Sequence, residues 1–233
     1  MRENIIIGDL HSCRDEFNQL LDKINYDQSK HRVIIVGDLI DRGDDPVGLV
    51  RQIRKMELEC VVGNHESKML RWLKYETRRK EDGTPNPMIP PTDKRRKEWE
   101  SFSNKSINWL SNLPHQIHIK DNWYVIHAGL EPAVAFEKQK PEHMIRLRRV
   151  DKEGFAIRGK SQIANSYFWA SRWNQPYNII FGHERHNEPT KYVNDNNICV
   201  AIDQGCVFGG YLTAYNLDRD EFIQVKARKT YYP

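Results

Sequence analysis

Short apolar runs that stop abruptly at polar residues recur along the chain, with stretches of helical spacing between them. Residues 33–37 are rich in β-branched side chains and read as a strand buried on both faces, ending at Asp38, Asp41, Arg42 and Gly43. Residues 5–7 form a similar run that ends in Gly8-Asp9-Leu10-His11, and residues 60–62 end in Gly63-Asn64-His65-Glu66. Each is followed by a helical pattern. The first carries Phe17, Leu20, Leu21 and Ile24, and the second Val47, Leu49, Val50 and Ile53 behind Pro46, which suits a first helical turn. The third places Met69, Leu70 and Leu73 on one face. This βαβαβα order predicts an α/β fold with a largely parallel sheet.

Three more strand candidates follow, at residues 123–126, 178–181 and 198–202. They end in His127-Ala128-Gly129, Gly182-His183 and Asp203-Gln204-Gly205. Residues 211–225 alternate like an antiparallel pair. Residues 82–92 break the rhythm, because Pro85, Pro87, Pro90 and Pro91 around Gly83 exclude regular structure. No repeat or linker interrupts the chain, so one domain over residues 1–233 is expected, with a Pro-rich basic insertion around 77–98. Between residues 71 and 97, nine Lys or Arg stand against four Asp or Glu. A solvated face is the simpler account of that run, and a basic flap beside an anionic substrate the sharper one.

At 233 residues the chain can bury a substantial core. No apolar run approaches the roughly 18 residues a membrane span needs, and the N-terminus is not patterned as a signal peptide. Cys13, Cys60, Cys199 and Cys206 show no CxxC spacing, which predicts reduced thiols and a cytoplasmic protein. A formal charge of +4 leans towards anionic partners without indicating nucleic acid. Nothing in the residues sets an oligomeric state.

Five of the runs end in metal-capable residues: Asp9 with His11, Asp38, Asn64 beside His65, His127, and His183. Ligands bind beyond the carboxyl ends of parallel strands, so strands sharing one sheet would gather all six side chains at one edge. Two aspartates, three histidines and an amide are too many for one ion and suit two. Imidazole favours Mn²⁺, Fe or Zn²⁺ over Ca²⁺ or Mg²⁺. A shared carboxylate, best supplied by Asp38, would hold the ions roughly 3.5–4 Å apart, where a bridging hydroxide can attack a clamped phosphoryl group. Arg42 then suits phosphate oxygens, His65 the proton for the departing oxygen, and Asp41 the orientation of that imidazole.

The segments GDLH at 8–11, GDLIDRG at 37–43 and GNHE at 63–66, with HAG at 127–129 and GH at 182–183, resemble the signature of the metal-dependent serine/threonine phosphoprotein phosphatases. These are calcineurin-like metallophosphoesterases, and the likeness is closest to the short bacterial and phage members and to symmetrical dinucleoside tetraphosphate hydrolases. The resemblance implies an αββα sandwich, with Asp9, His11 and Asp38 on a first metal and Asp38, Asn64, His127 and His183 on a second. It further implies a His65–Asp41 proton-donating dyad, phosphate binding by Arg42, and a second phosphate-binding arginine near a tryptophan, for which Arg172 in FWASRW is the nearest match. Two positions depart from the pattern: Ser12 stands where the family usually has Gly, and Glu184 where a small hydroxyl residue is common.

Alone, each piece has an ordinary structural explanation; five in order do not. His115 is read as a connector residue, His186 as solvent-facing, Asp203 as structural, and Trp169 and Trp173 as core. The expected function is a phosphoesterase using two divalent ions, Mn²⁺ first, acting on phosphoserine or phosphothreonine in proteins. Hydrolysis of dinucleoside polyphosphates or of nucleic-acid phosphate ends is the alternative with the same chemistry. An inactive metal-bound binding module is the alternative from another class.

Overall fold

The computed structural model describes residues 2–157 and 164–233. Two sheets face each other. The first has the strand order β11 (Asp203–Gln204), β12 (Tyr211–Asn216), β1 (Glu3–Ile7), β2 (His31–Ile35) and β3 (Glu59–Cys60), with β13 (Glu221–Lys226) also on β12. The second runs β4 (Gln116–Lys120), β5 (Trp123–Ile126), β8 (Asn178–Phe181), β10 (Asn197–Ala201) and β9 (Thr190–Asn194). β6 (Arg149–Val150) and β7 (Tyr167–Phe168) form a separate pair.

Period-two alternation divides each central strand between two apolar layers. Ile5, Ile7, Val33 and Ile35 face one layer, where α1 (Arg14–Lys23), α2 (Pro46–Lys55) and α3 (Asn64–Asp82) cover the first sheet. Ile6, Ile34 and Val36 face the other, meeting Val125, Ile180, Val200 and Ile202 of the second sheet. Ile179, Phe181, Cys199 and Ala201 point out of the far side of that sheet, onto Trp169 and Trp173. Both tryptophans are fully buried, as core residues. Burial on both faces is why these strands read as continuous apolar runs.

The expected parallel order holds within each sheet: β1 with β2 and β2 with β3 in the first, β5 with β8 and β8 with β10 in the second. The strands do not share one sheet, as the α/β pattern alone suggested. Instead the carboxyl ends of two sheets meet. The antiparallel pair expected over 211–225 is β12 with β13. Residues 83–92 are irregular, but α3 reaches Asp82, well past Leu73. Asn86 anchors the loop on α3 by donating to the Trp72 carbonyl and the Glu76 carboxylate. Beyond it come α4 (Asp93–Glu100) and α5 (Asn104–Ser111), each started by a hydroxyl cap, Thr92 and Ser103. Buried Glu16 accepts from the Tyr231 hydroxyl and the Arg228 N–H, which ties the last segment to α1. Among the described residues no helix is long and apolar enough to cross a membrane.

Candidate dinuclear metal centre

The turns after β1, β2, β3 and β8 open into one cleft of about 340 Å³, lined by His11, Asp38, Asn64, His65 and His183 together with Arg42, Arg148, Arg185 and Phe208. His127, from the turn after β5, is fully buried beside Asp38 and Asn64. The backbone there is held in an unfavourable region. His11, Ser12, Asp38, Asp41, Arg42 and His183 all have φ between 41° and 76°, the left-handed range that non-glycine residues rarely enter. Such strain persists only where surrounding structure over-determines it, and it gathers at functional sites. Ser12 takes the left-handed conformation itself, at φ 64°, so the turn forms without the glycine.

Glu66 does much of this holding. Its buried carboxylate accepts the backbone N–H groups of Gly63, Asp38, Leu39 and Ile40 at 2.8–3.2 Å. It reaches back from the third position of α3 to Gly63, the carboxylate half of a capping box, and in the same grip closes the turn after β2. Gly63 must lack a side chain, since a Cβ there would overlap both Asp38 and Glu66. A Cβ at Gly182 would likewise overlap the carboxylate of Asp9, which accepts the His183 N–H at 3.1 Å.

Two overlapping groups of potential ligand atoms result, each within 4.8 Å of one another: His11, Asp38 and His65, and Asp38, His127 and His183. Asp38 belongs to both, as a carboxylate shared by two ions would; Asp9 falls in neither group, and its carboxylate is turned to the His183 N–H. The donors fit divalent cations in chemistry as well as position. His127 Nδ1 donates to the Val36 carbonyl at 2.8 Å, which turns Nε2 towards Asn64 Oδ1 at 3.1 Å and Asp38 Oδ1 at 3.4 Å. His11 Nδ1 donates to the Ile40 carbonyl at 3.1 Å, leaving Nε2 for the cleft, where the Arg42 guanidinium reaches it at 2.7 Å. Backbone carbonyls behind the ring are how metal-binding histidines are oriented. His183 Nε2 is buried with no hydrogen-bond partner, an orphan that a cation would satisfy.

The electrostatics carry the same mark. Burial, helped by the nearby charge of Asp203, pushes Asp9 well above the usual carboxylate range. Burial also opposes ionisation of Asp38, but His127, His65 and His11 hold it well below that range. Burial keeps His11 neutral, down to about 3, and lowers His183 as well. Against the same burial, Asp38 lifts His127 to about 10. A buried carboxylate without a compensating cation is costly.

His65 and Asp41 form a pair at 2.5 Å between Nδ1 and Oδ2, and His65 Nε2 lies 3.9 Å from Asp38. The second arginine expected from the sequence is not here. Arg172 is exposed, donates to the Lys152 carbonyl at 3.2 Å and stacks over Tyr167 at 4.8 Å. The arginines of the cleft, beside Arg42, are Arg148 and Arg185. Glu184 pairs with Arg148, so its departure from the pattern places a carboxylate on the rim. Arg42 and Arg185 both lie over Phe208, at 5.1 and 5.0 Å. His186 is not solvent-facing but half-buried between the Glu184 carbonyl and the Tyr192 hydroxyl. Asp203 accepts the Gly205 N–H and lines the cleft. Sequence reasoning missed the role of Glu66, whose three-residue offset from Gly63 was the available signal. It also missed Arg185, which carries none, whereas Arg148 belongs to the basic run of residues 146–149 that a polyphosphate would suit.

Comparison with known proteins agrees with this geometry. The family model described as calcineurin-like phosphoesterase matches residues 5–219. The chain is 26% identical over 248 residues to the asymmetrical bis(5'-nucleosyl)-tetraphosphatase PrpE of Oceanobacillus iheyensis, covering 97% of this chain and 93% of that one. It is 25% identical to the symmetrical bis(5'-nucleosyl)-tetraphosphatase of Nitrosomonas europaea, over 94% and 96% of the two chains. The crystal structure of a candidate diadenosine tetraphosphatase superposes with a TM-score of 0.80 at 27% identity, over 97% and 94%.

Proposed function

The chain belongs to the calcineurin-like phosphoesterase family, and from that premise we propose that it hydrolyses dinucleoside polyphosphates, with dinucleoside tetraphosphates as the substrate class. This puts the nucleotide reading ahead of the protein phosphatase expected from the sequence. Relatives that cover nearly the whole chain carry tetraphosphatase names. The likeness to a yeast serine/threonine phosphatase, at 15% identity, is one of fold. The observation that carries the proposal is the cleft itself: three arginines, Arg42, Arg148 and Arg185, line it beside the ligand cluster, with Arg148 paired to Glu184 on the rim. They offer more guanidinium donors than one phosphomonoester needs and suit a chain of phosphates.

Asp9, His11 and Asp38 would hold one divalent cation, and Asp38, Asn64, His127 and His183 the other, with Mn²⁺ the metal of choice. Bound there, the ions would supply an activated water and neutralise charge on the attacked phosphate. The chain's own residues do the rest. Arg42 grips the reacting phosphate and Arg148 and Arg185 its neighbours, which fixes the chain in line. His65, held through Nδ1 by Asp41, keeps a proton on Nε2 for the departing oxygen. The four buried, unpaired cysteines favour a reducing, cytoplasmic setting for this reaction.

Side-by-side turnover with Mn²⁺ tests the proposal, using diadenosine tetraphosphate, a phosphoserine peptide and 5′-capped RNA. Fastest cleavage of the tetraphosphate is expected. Two ADP per substrate would mark symmetrical cleavage, and AMP with ATP asymmetrical cleavage. Faster turnover of the peptide or the RNA would overturn the substrate assignment, and no turnover of p-nitrophenyl phosphate would favour a binding module.

A further inference from the structure

Asp41 has two carboxylate oxygens, and only one faces His65. The other accepts the indole N–H of Trp99 at 2.8 Å, and both side chains are buried. Trp99 sits on α4, at the far end of the Pro-rich basic insertion. Three residues of that helix, Arg95, Glu98 and Trp99, are spaced i, i+3 and i+4 and so share one face. All three converge on Asp41. Arg95 Nε lies 3.5 Å from Oδ1, the Glu98 carboxylate lies close enough to Asp41 to feel its charge, and Arg95 also lies over the Trp99 ring at 6.0 Å. Lys94, Arg96 and Lys97 on the other side of α4 are exposed. The insertion is therefore a solvated basic surface on one side and a clamp on the other.

We infer that Trp99 is a positioning residue for the proton-donating pair: its indole N–H fixes the Asp41 carboxylate so that Oδ2, and no other atom, meets His65 Nδ1. The inference rests on the hydrolase reading and adds a control point to it. Asp41 is at φ 71°, in a conformation it would not adopt unaided, and its carboxylate can rotate about its last bond unless both oxygens are bound. Trp99 removes that freedom by holding Oδ1 while His65 holds Oδ2. The indole is a donor only, so it cannot take the proton that His65 must keep. The hydrogen bonds thus have a fixed direction, from the indole N–H and the imidazole Nδ1–H to the carboxylate, which leaves the Nε2 proton of His65 for the departing oxygen.

The test compares Trp99→Phe with Trp72→Phe in the Mn²⁺-loaded enzyme. Trp72 packs at a tilt against Trp99, 5.7 Å between ring centres, so it controls for lost packing. Turnover is measured on phosphate monoesters of rising leaving-group basicity, from p-nitrophenyl to alkyl. Trp99→Phe is expected to lose about 10-fold or more on alkyl esters, with a much smaller loss on p-nitrophenyl phosphate, whose leaving group hardly needs a proton. Trp72→Phe is expected to show no such slope. In an Asp41→Asn background, Trp99→Phe should have little further effect, since both act through one contact. Equal losses across the series, or full additivity with Asp41→Asn, would overturn the inference. A second readout needs no activity: the Trp99 indole N–H resonance should shift in His65→Asn, and an unmoved resonance would also overturn it. An unaltered chain that hydrolyses neither the esters nor diadenosine tetraphosphate while His65→Asn still shifts the indole would sink the hydrolase reading and leave the Trp99–Asp41–His65 linkage standing as structure.

Discussion

The turn of residues 37–43 and the insertion of residues 83–100 meet at Asp41, yet different forces hold them. The turn is packed inside the molecule, carries three non-glycine residues in the left-handed region, and depends on one buried carboxylate, Glu66, that absorbs four amide hydrogens. The insertion lies on the surface and enters the core at few points, Trp99 chief among them. A turn of the first kind tolerates almost no change. A segment of the second kind can vary freely, provided that one helix face keeps its three contacts.

The largest effect should follow from breaking the turn. Glu66→Ala leaves four buried amides without acceptors, and each such loss costs about 1–3 kcal/mol. Roughly 3 kcal/mol or more of stability should disappear, with metal binding, in denaturant melts and elemental analysis. A variant that melts normally and keeps two ions would show that Glu66 is not what holds the strained backbone.

Asp38→Asn should spare more of the fold but lose activity on the order of 10³-fold or more, since two cations lose their shared charge. Bound metal should fall towards one ion or none by elemental analysis. Two retained ions and near-normal turnover would contradict a shared carboxylate.

The arginines sharpen the contrast between cleft and surface. Arg148→Ala should lower kcat/KM on the tetraphosphate by about 10–100-fold, the worth of one charge-assisted contact. Arg172→Ala, on the exposed side of Tyr167, should stay within about twofold. The reverse order would return the second phosphate contact to Arg172.

The smallest effect concerns the clamp and depends on pH. Burial, with the neighbouring charge of Asp41, pushes Glu98 up to about 7 in the folded protein, from a usual value near 4.5; Arg95 and Lys94 oppose the shift. Between those values the folded state binds more protons than the unfolded one, so stability falls as pH rises through the window. Glu98→Gln should therefore raise the melting midpoint by a few degrees at pH 8 and hardly at pH 5. An equal gain at both values would mean that Glu98 does not titrate with folding.

The parts of the site that could be read beforehand are those whose cause is local. Asp9, His11, Asp38, Asn64, His127 and His183 each follow an apolar run by a few residues, and a strand end followed by a sharp turn is written in neighbouring positions. Trp99 was not readable in this way. It looks like one apolar residue in a charged helix, and its partner is 58 positions away. Arg172 misled for the opposite reason, since closeness to a tryptophan in sequence says nothing of which way a guanidinium points.

From residue order alone came the alternation of strands and helices, the set of metal-capable side chains and the likeness to a phosphoesterase family, because period and turn chemistry act over a few residues. Tertiary structure alone decided that two sheets rather than one bring those side chains together, that Arg148 and Arg185 face the cleft, and that a surface insertion reaches in to grip Asp41. Those outcomes depend on which buried faces pack against each other, and that is settled by the summed burial and hydrogen bonding of segments far apart in the chain.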